Sequence, residues 1–255
     1  PATLRRQRQM CIRDSDGAHV LGLIAGGQFQ DPLREGADIM TGSSHKTFPG
    51  PQGGFLLSSS QDPIVQRKLN NAIFPGTCSS YHLHHVAGKV IALAEFEEYG
   101  ETYARDIVRN AQALGQCLAE EGFDVLAEGR NYTASHQVLT RHGDIDSGAG
   151  AAAAQLLEDA GIVTNMNMLP GDTKAMTPSG LRLGVQELTR VGMGVSEMAE
   201  VARLFAKVLL EHKDPSAVKD EVHHLKSNFQ TIRYCFNEDE QLSLIHISEP
   251  TRLSV

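Results

Sequence analysis

The sequence predicts an α/β protein, and three observations carry that expectation. Short apolar runs alternate with stretches whose apolar residues recur at helical spacing along most of the chain. Glycine and proline punctuate the joins between them. Hydrophobic residues make up 41% of the 255, enough to build a core for one or two domains.

The two ends do not fit that pattern. "RRQRQMCIRDS" (Arg5 to Ser15) and "LSLIHISEPTR" (Leu242 to Arg252) resemble in-frame translations of two transposase adaptors used to prepare sequencing libraries, read on opposite strands. They are expected to be foreign tails covering 1–15 and 242–255, packed loosely, with the authentic sequence running from Asp16 to Gln241 and lacking its true start.

Taken in order, "HVLGLIAGG" (His19 to Gly27) reads as a small-residue helix stopped by glycines. "ADIMTGS" and "GGFLLSS" read as strands on either side of a bend that carries Lys46. From "HHVAGKVIALAEF" onward, apolar positions keep helical spacing as far as Gly122, giving one long helix or two in succession. "FDVLAEG", "SHQVLTR", "GIVTNMN" and "GLRLGV" read as short strands, with helices in "GAGAAAAQLLEDA" and "SEMAEVARLFAKVLLEH". A domain boundary is expected inside the long helix, near Arg105.

The formal net charge is −8, and removing the tails takes away five arginines (Arg5, Arg6, Arg8, Arg13, Arg252) against only Asp14 and Glu249, leaving the remainder more acidic. That balance, with no basic stripe, argues against nucleic acid or an anionic membrane as partner. Cys78, Cys117 and Cys235 are too widely spaced for a disulfide framework or a zinc site, which suits a reducing cytoplasm. No apolar run approaches the roughly 20 residues that span a bilayer. His82, His84 and His85 cluster without a carboxylate or cysteine at ligand spacing, so no metal is expected.

The densest chemistry lies in "ADIMTGSSHKTFPGPQGG" (Ala37 to Gly54). Ser43, Ser44 and His45 offer donors to an anion, Lys46 follows them, and Pro49-Gly50-Pro51 with Gly53-Gly54 fix the backbone while leaving room for a bulky ligand. An amine held in a desolvated pocket becomes a nucleophile for carbonyl compounds.

With "DGAHVLGLIAGGQFQDPLREGADIMTGSSHKTFPGPQGG", "HLHHVAGKVIALAE", "NMNMLPGD" and "PSGLRLGVQELTRVGM" in that order, the chain resembles the serine hydroxymethyltransferases, fold-type I enzymes dependent on pyridoxal phosphate, from Asp16 to about Met193. The resemblance implies the C-terminal part of a cofactor-binding large domain over 16–105 and a small C-terminal α/β domain over 106–241. It implies that Lys46 carries the cofactor, that Asp16 pairs with the pyridine nitrogen so that the ring acts as an electron sink, and that His19 contacts the phenolic-oxygen side, with His45 beside the lysine. Arg182 would hold the substrate carboxylate in a bidentate clamp, and Asn167 would face the folate carrier. Taken alone, Asp16 reads as a helix N-cap, His19 as a core histidine, Arg182 as a strand-edge ion pair and Asn167 as a turn residue.

Two stretches depart from the family pattern. Where the family has "QGGP" reaching the phosphate of the neighbouring subunit's cofactor, this chain reads "CSSYH", so Ser79 and Ser80 are expected to donate to phosphate instead. "NYTASHQVL" replaces the usual "GTDNH" near the folate site. The resemblance implies interconversion of serine and glycine with tetrahydrofolate or a related pterin, in a homodimer when full length. A threonine aldolase or transaldolase on the same scaffold is the alternative. A third reading is an inactive remnant, because the family's phosphate-gripping Ser-Gly turn, the ring stacked on the cofactor and the glutamate that handles the substrate hydroxyl all precede the segment matching Asp16.

Overall fold

The computed structural model describes residues 13–236 and the backbone of residues 253–254. The chain divides into two compact units, one ending at Ala104 and the other beginning at Arg105.

In the first unit β1 (Asp14–Asp16), β2 (Ile39–His45) and β3 (Pro49–Ser58) form a sheet in that order. β1 runs parallel to β2 and β3 antiparallel to it. The boundary expected after Ser15 therefore cuts a strand: Asp14 and Ser15 stand opposite Ile39 and Met40, and the Arg13 N–H donates to Asp38 Oδ2 at 2.9 Å. They extend the parallel edge of β2, whose backbone groups need partners. The remaining tail residues, 1–12 and 242–252, lie outside the described residues apart from Leu253–Ser254 at the far end, whose backbone pairs with Ile162–Val163.

The helix predicted over His19 to Gly27 is α1 (Leu21–Ala25), two residues shorter at its start because residues 18–20 form a turn. Leu21, Leu23, Met40 and Phe48 are buried together with Ala92 and Phe96 of α3 (Leu83–Glu121), and the Phe48 ring lies 5.0 Å from that of Phe96. α3 is one unbroken helix, as the helical spacing up to Gly122 allows. Before it, α2 (Pro63–Asn71) was not anticipated; Pro63 occupies its first turn and Asp62 accepts the Ile64 N–H at 2.8 Å.

In the second unit β4 (Asp124–Val125), β5 (Gln137–Arg141), β7 (Asn165–Asn167) and β8 (Gly180–Gly184) form an antiparallel sheet in the order β4-β5-β8-β7. "FDVLAEG" contributes only two strand residues, because the chain turns through left-handed Ala127, Asn131 and Tyr132 just beyond them. "GIVTNMN" splits at Thr164 into β6 (Ile162–Val163), outside this sheet, and β7 within it. α4 (Ala149–Asp159) packs on β8, while α6 (Val195–Leu209) and α7 (Pro215–Ser227) pack on α4 and on each other, with the short α5 (Gln186–Arg190) following β8. Leu157, Met198, Val201, Phe205 and Val222 are buried on that side with Val138, Leu181 and Leu183 of the strands. α4 approaches so closely that a Cβ on Gly150 would sit 2.2 Å from the Gly180 carbonyl oxygen.

A polar network crosses the core. The buried Asn110 amide donates to Thr189 Oγ1 and to the Met193 carbonyl, both at 2.9 Å, and Thr189 donates onward to the Val185 carbonyl at 2.8 Å. Beside the sheet, His142 Nε2 lies 2.8 Å from Thr140 Oγ1 and its ring meets Phe123 edge-on. Burial pushes His142 down to about 4, against a smaller upward pull from Asp124. Held neutral in the fold, it favours the unfolded chain once pH drops below the ordinary histidine value. The expected outcome is a loss of stability on the order of 2 kcal/mol as pH falls from about 6.5 to about 4. Urea unfolding midpoints across that interval should flatten in His142→Asn, and an unchanged slope would remove His142 as the cause.

Candidate functional site

The bend that carries Lys46 is held from both sides. Lys46, Thr47 and Phe48 link β2 to β3. Thr47 is fully buried; its hydroxyl donates to the His19 carbonyl at 2.8 Å and accepts the Gly22 N–H at 3.1 Å. Gly22 is required there, since an added Cβ would sit 2.1 Å from the Thr47 carbonyl oxygen. On the strand side the register shifts between Ser43 and His45, producing a bulge that frees Ser44 from the ladder. Ser44 is also fully buried and donates to the Pro51 carbonyl at 2.6 Å, while His45 Nδ1 meets the Gly53 backbone at 3.3 Å.

Alternation along β2 turns Met40, Gly42 and Ser44 inward and leaves Thr41, Ser43 and His45 on the other face. Asp16 is the register partner of Thr41, so Asp16 and Ser43 share that open face. Asp16 Oδ1 accepts the Ala18 N–H at 2.8 Å, closing a turn at the end of β1 rather than capping a helix, because α1 begins only at Leu21 with Val20 before it. Among the described residues, Lys46 Nζ, Ser43 Oγ, His45 Nε2 and Asp16 Oδ2 have no hydrogen bond or ion pair. An amine, a hydroxyl, a ring nitrogen and a carboxylate oxygen of one strand pair and its bend are thus open to a ligand. This donor set fits a phosphate-bearing aldehyde with a basic ring nitrogen. Ser44 differs from the expectation in one respect: its proton is already committed to Pro51. Ser79 and Ser80 lie exposed before α3.

The second unit holds the other two predicted residues. Arg182 pairs with Leu139 on β5 and Asn165 on β7, and Asn167 pairs with Gly180. That register sets Arg182 and Asn167 on one face of the sheet, opposite the buried Leu181 and Leu183. The half-buried Arg182 guanidinium has no hydrogen bond or ion pair among the described residues. Asn167 Nδ2 donates to the Met168 carbonyl at 2.7 Å, leaving its amide oxygen to accept. Lys46 and Arg182 belong to different units.

Sequence reasoning missed three groups that shape these sites. Thr47 could have been found as the one small hydroxyl residue beside the lysine, in a bend that must close on a Gly-containing helix. Lys89, on α3, lies 3.5 Å from the Gly54 carbonyl and 5.7 Å from the Phe55 ring centre, a contact that spacing cannot reveal. Asp146 and Asp172 form a reciprocal knot beside β8, described below. The rings of His82, His84 and His85 stack with centres 4.4 to 5.5 Å apart, and among the described residues no cluster of His, Cys, Asp and Glu is arranged to hold a metal.

Thr47→Val keeps the shape of the side chain and removes both hydroxyl bonds, leaving the buried Gly22 N–H and His19 carbonyl without that partner. A loss of about 1–3 kcal/mol in chemical denaturation is expected. Wild-type stability in Thr47→Val would show that the bend is held by other means.

The serine hydroxymethyltransferase family profile matches residues 9–205, which takes in part of the segment read as a foreign tail. Serine hydroxymethyltransferase of Pyrococcus abyssi is 56% identical over 225 residues, covering 87% of this chain and 53% of that protein. The same-named protein of Methanopyrus kandleri is 54% identical over 224 residues, covering 87% of this chain and 51% of its own length. Among solved structures, L-threonine transaldolase from Pseudomonas fluorescens superposes with a TM-score of 0.82 at 32% identity, covering 93% of this chain and 53% of that one. The chain thus spans about half the length of the curated relatives it matches, and its α/β architecture is that of the fold-type I pyridoxal-phosphate enzymes. On the match over most of its length and on identities above half, the chain belongs to the serine hydroxymethyltransferase family.

Proposed function

We propose that this chain forms part of a pyridoxal-phosphate enzyme that interconverts serine and glycine, breaking and making the Cα–Cβ bond of a β-hydroxy amino acid with a tetrahydrofolate or related pterin as one-carbon carrier. The observation that carries the reading is Lys46: a half-buried amine without a partner among the described residues, on a bend clamped by Thr47 on one side and the Ser44 bulge on the other.

Bound pyridoxal phosphate supplies an electron sink for charge developing at the substrate's α-carbon. The chain's own residues do the rest. Lys46 holds the cofactor covalently, and its fixed backbone limits where the amine can reach. The open carboxylate oxygen of Asp16 would accept the N–H of the cofactor's ring, and a charge-assisted bond there would favour the protonated nitrogen. Ser43, with His45, Ser79 and Ser80, offers donors to phosphate. His19, in the turn before α1, would flank the cofactor. Arg182 receives the substrate α-carboxylate in its planar fork, orienting the bond to be broken, and Asn167 addresses the carrier.

A second reading, a threonine aldolase or transaldolase, draws on the structural likeness to L-threonine transaldolase. The two are separated by product analysis with serine plus tetrahydrofolate against threonine plus an acceptor aldehyde. We further propose a homodimer in the cytoplasm. The first turns of α3 and the segment before it expose Phe74, Tyr81, Leu83, Val86 and Val90, and Cys78, Cys117 and Cys235 are all free thiols. No described helix is long and apolar enough to cross a membrane.

The assignment of Lys46 is tested by loading the protein with pyridoxal phosphate, reducing it with borohydride and mapping the labelled peptide. The label should fall on Lys46 and vanish in Lys46→Ala; a label on Lys89 would overturn the assignment. For Arg182→Ala in the enzyme expressed from its full reading frame, the lost charge-assisted clamp should lower kcat/KM for serine by about 30-fold or more while the cofactor stays bound. Arg182→Lys keeps charge without the fork and should fall between the two. Unchanged kcat/KM in Arg182→Ala would mean the carboxylate is held elsewhere.

A further inference from the structure

Two loops of the second unit are tied by a pair of carboxylates that hold backbone rather than cations. Asp172 Oδ2 accepts three donors, the Leu169 N–H at 2.9 Å, the Ser179 N–H at 2.9 Å and the Ser179 hydroxyl at 2.8 Å, while its Oδ1 accepts the Asp146 N–H at 2.8 Å. Asp146 answers: its Oδ1 accepts the Thr173 and Lys174 N–H groups at 2.8 and 2.9 Å, and its Oδ2 the Thr173 hydroxyl at 2.6 Å. Asp146 adopts a left-handed backbone, φ 57°, which few residues other than glycine, asparagine and aspartate tolerate. Each loop's carboxylate therefore binds the other loop's backbone, and Asp172 in addition holds its own loop through Leu169 and Ser179.

The location gives the knot its meaning. The loop it fixes, residues 168–179, lies between Asn167 at the end of β7 and Gly180 at the start of β8. Ser179, fully buried, is gripped from both ends: Asp172 takes its N–H and hydroxyl, and the His142 N–H donates to its carbonyl at 2.9 Å. Three residues further on is Arg182, whose guanidinium has no bond of its own among the described residues. Its direction is thus set by its strand, and the start of that strand by Ser179. Hydrogen bonds lower both carboxyls from the ordinary aspartate value, at Asp146 chiefly from the Thr173 hydroxyl and at Asp172 from the backbone N–H groups of Asp146, Leu169 and Ser179, which favours the ionised form of the knot.

We propose that Asp172, with Asp146 behind it, is a positioning residue that sets Arg182 relative to Asn167, and so determines how tightly an amino-acid carboxylate is held. The proposal rests on the reading of Arg182 as the carboxylate clamp. Asp172→Asn keeps one oxygen but turns an amide toward an N–H donor, so either the grip on Ser179 or the link to Asp146 is lost. Ser179→Ala removes a single hydroxyl and is the milder probe.

Steady-state kinetics with serine, in the enzyme expressed from its full reading frame, read the effect against Arg182→Ala. KM should rise about tenfold or more in Asp172→Asn and by a smaller factor in Ser179→Ala, with kcat within about threefold, the pattern of lost binding shared by ground and transition states. Asp172→Asn combined with Arg182→Ala should be no worse than Arg182→Ala alone, because residues acting through one another are not additive. Hydrogen exchange on the 255-residue chain should show faster exchange confined to residues 169–180 in Asp172→Asn, with α6 and α7 still protected. An unchanged KM in both Asp172→Asn and Ser179→Ala, or additivity with Arg182→Ala, overturns the positioning role. If Asp172→Asn does not fold, Ser179→Ala decides by the same KM criterion. If Arg182→Ala itself leaves KM unchanged, the clamp reading fails first, and the proposal falls with it in a distinguishable way.

Discussion

The first unit depends on one hydroxyl. Thr47 Oγ1 lies between the His19 carbonyl and the Gly22 N–H, so the turn that follows Asp16, the start of α1 and the bend carrying Lys46 become a single object. A backbone hydrogen bond could join two of these segments but not three. The geometry demands a glycine at 22 so that helix and bend can touch, and it buries Thr47 completely, where losing the bond exposes two backbone groups to an apolar surrounding. That is why the lysine can end in an amine with no partner among the described residues: its backbone is positioned by neighbours and needs no help from its own side chain.

The same division of labour recurs in the second unit with opposite charges. Asp146 and Asp172 are saturated by backbone donors and do no work except to hold loops, while Arg182, on the strand they fix, keeps all its donors available. An arginine paired within its own chain would have to exchange that partner for a ligand, and the gain would be the difference of two similar interactions. An unpaired guanidinium half out of water gains more from a carboxylate, because no competing anion must be displaced. Ser43 and Ser44 make the comparison within one strand. The inward serine is committed to Pro51, and the outward serine is open.

Much of this was legible beforehand. The strand before Lys46 and the long helix to Gly122 follow from apolar spacing, since β2 alternates and α3 buries one side from Ala92 to Leu118. α2 and α7 were overlooked although each opens with Asp-Pro, Asp62-Pro63 and Asp214-Pro215, with the aspartate accepting the N–H two residues on. Their apolar content is low, so a reading led by hydrophobic periodicity passes over them. Loose packing is the expectation for Asp14 and Ser15 as part of the tail, yet the edge of β2 pairs with their backbone whatever their side chains, a contact their letters do not encode. Thr47 and the aspartate knot were invisible for a different reason. The bonds that join Thr47 to the start of α1 and Asp146 to the loop of Asp172 span 25 to 28 residues, and no local pattern encodes a contact of that span.

The supports stand in the same short runs as the residues they serve, since Thr47 ends "SSHKT", Asp172 ends "NMNMLPGD" and Ser179 opens "SGLRLG", but the runs do not tell what each support grips. Lys46, Arg182 and Asn167 sit inside short runs, "SSHKT", "SGLRLG" and "NMNM", whose letters are fixed by what the side chain must reach and by the backbone beside it. The groups that hold those runs need only present an oxygen or an N–H at the right place. Ser179 shows this most clearly, since it opens the same run as Gly180 and Arg182 and is itself held by Asp172 and His142. A residue whose task is to be gripped carries little signature of its own, and only the folded chain displays the grip.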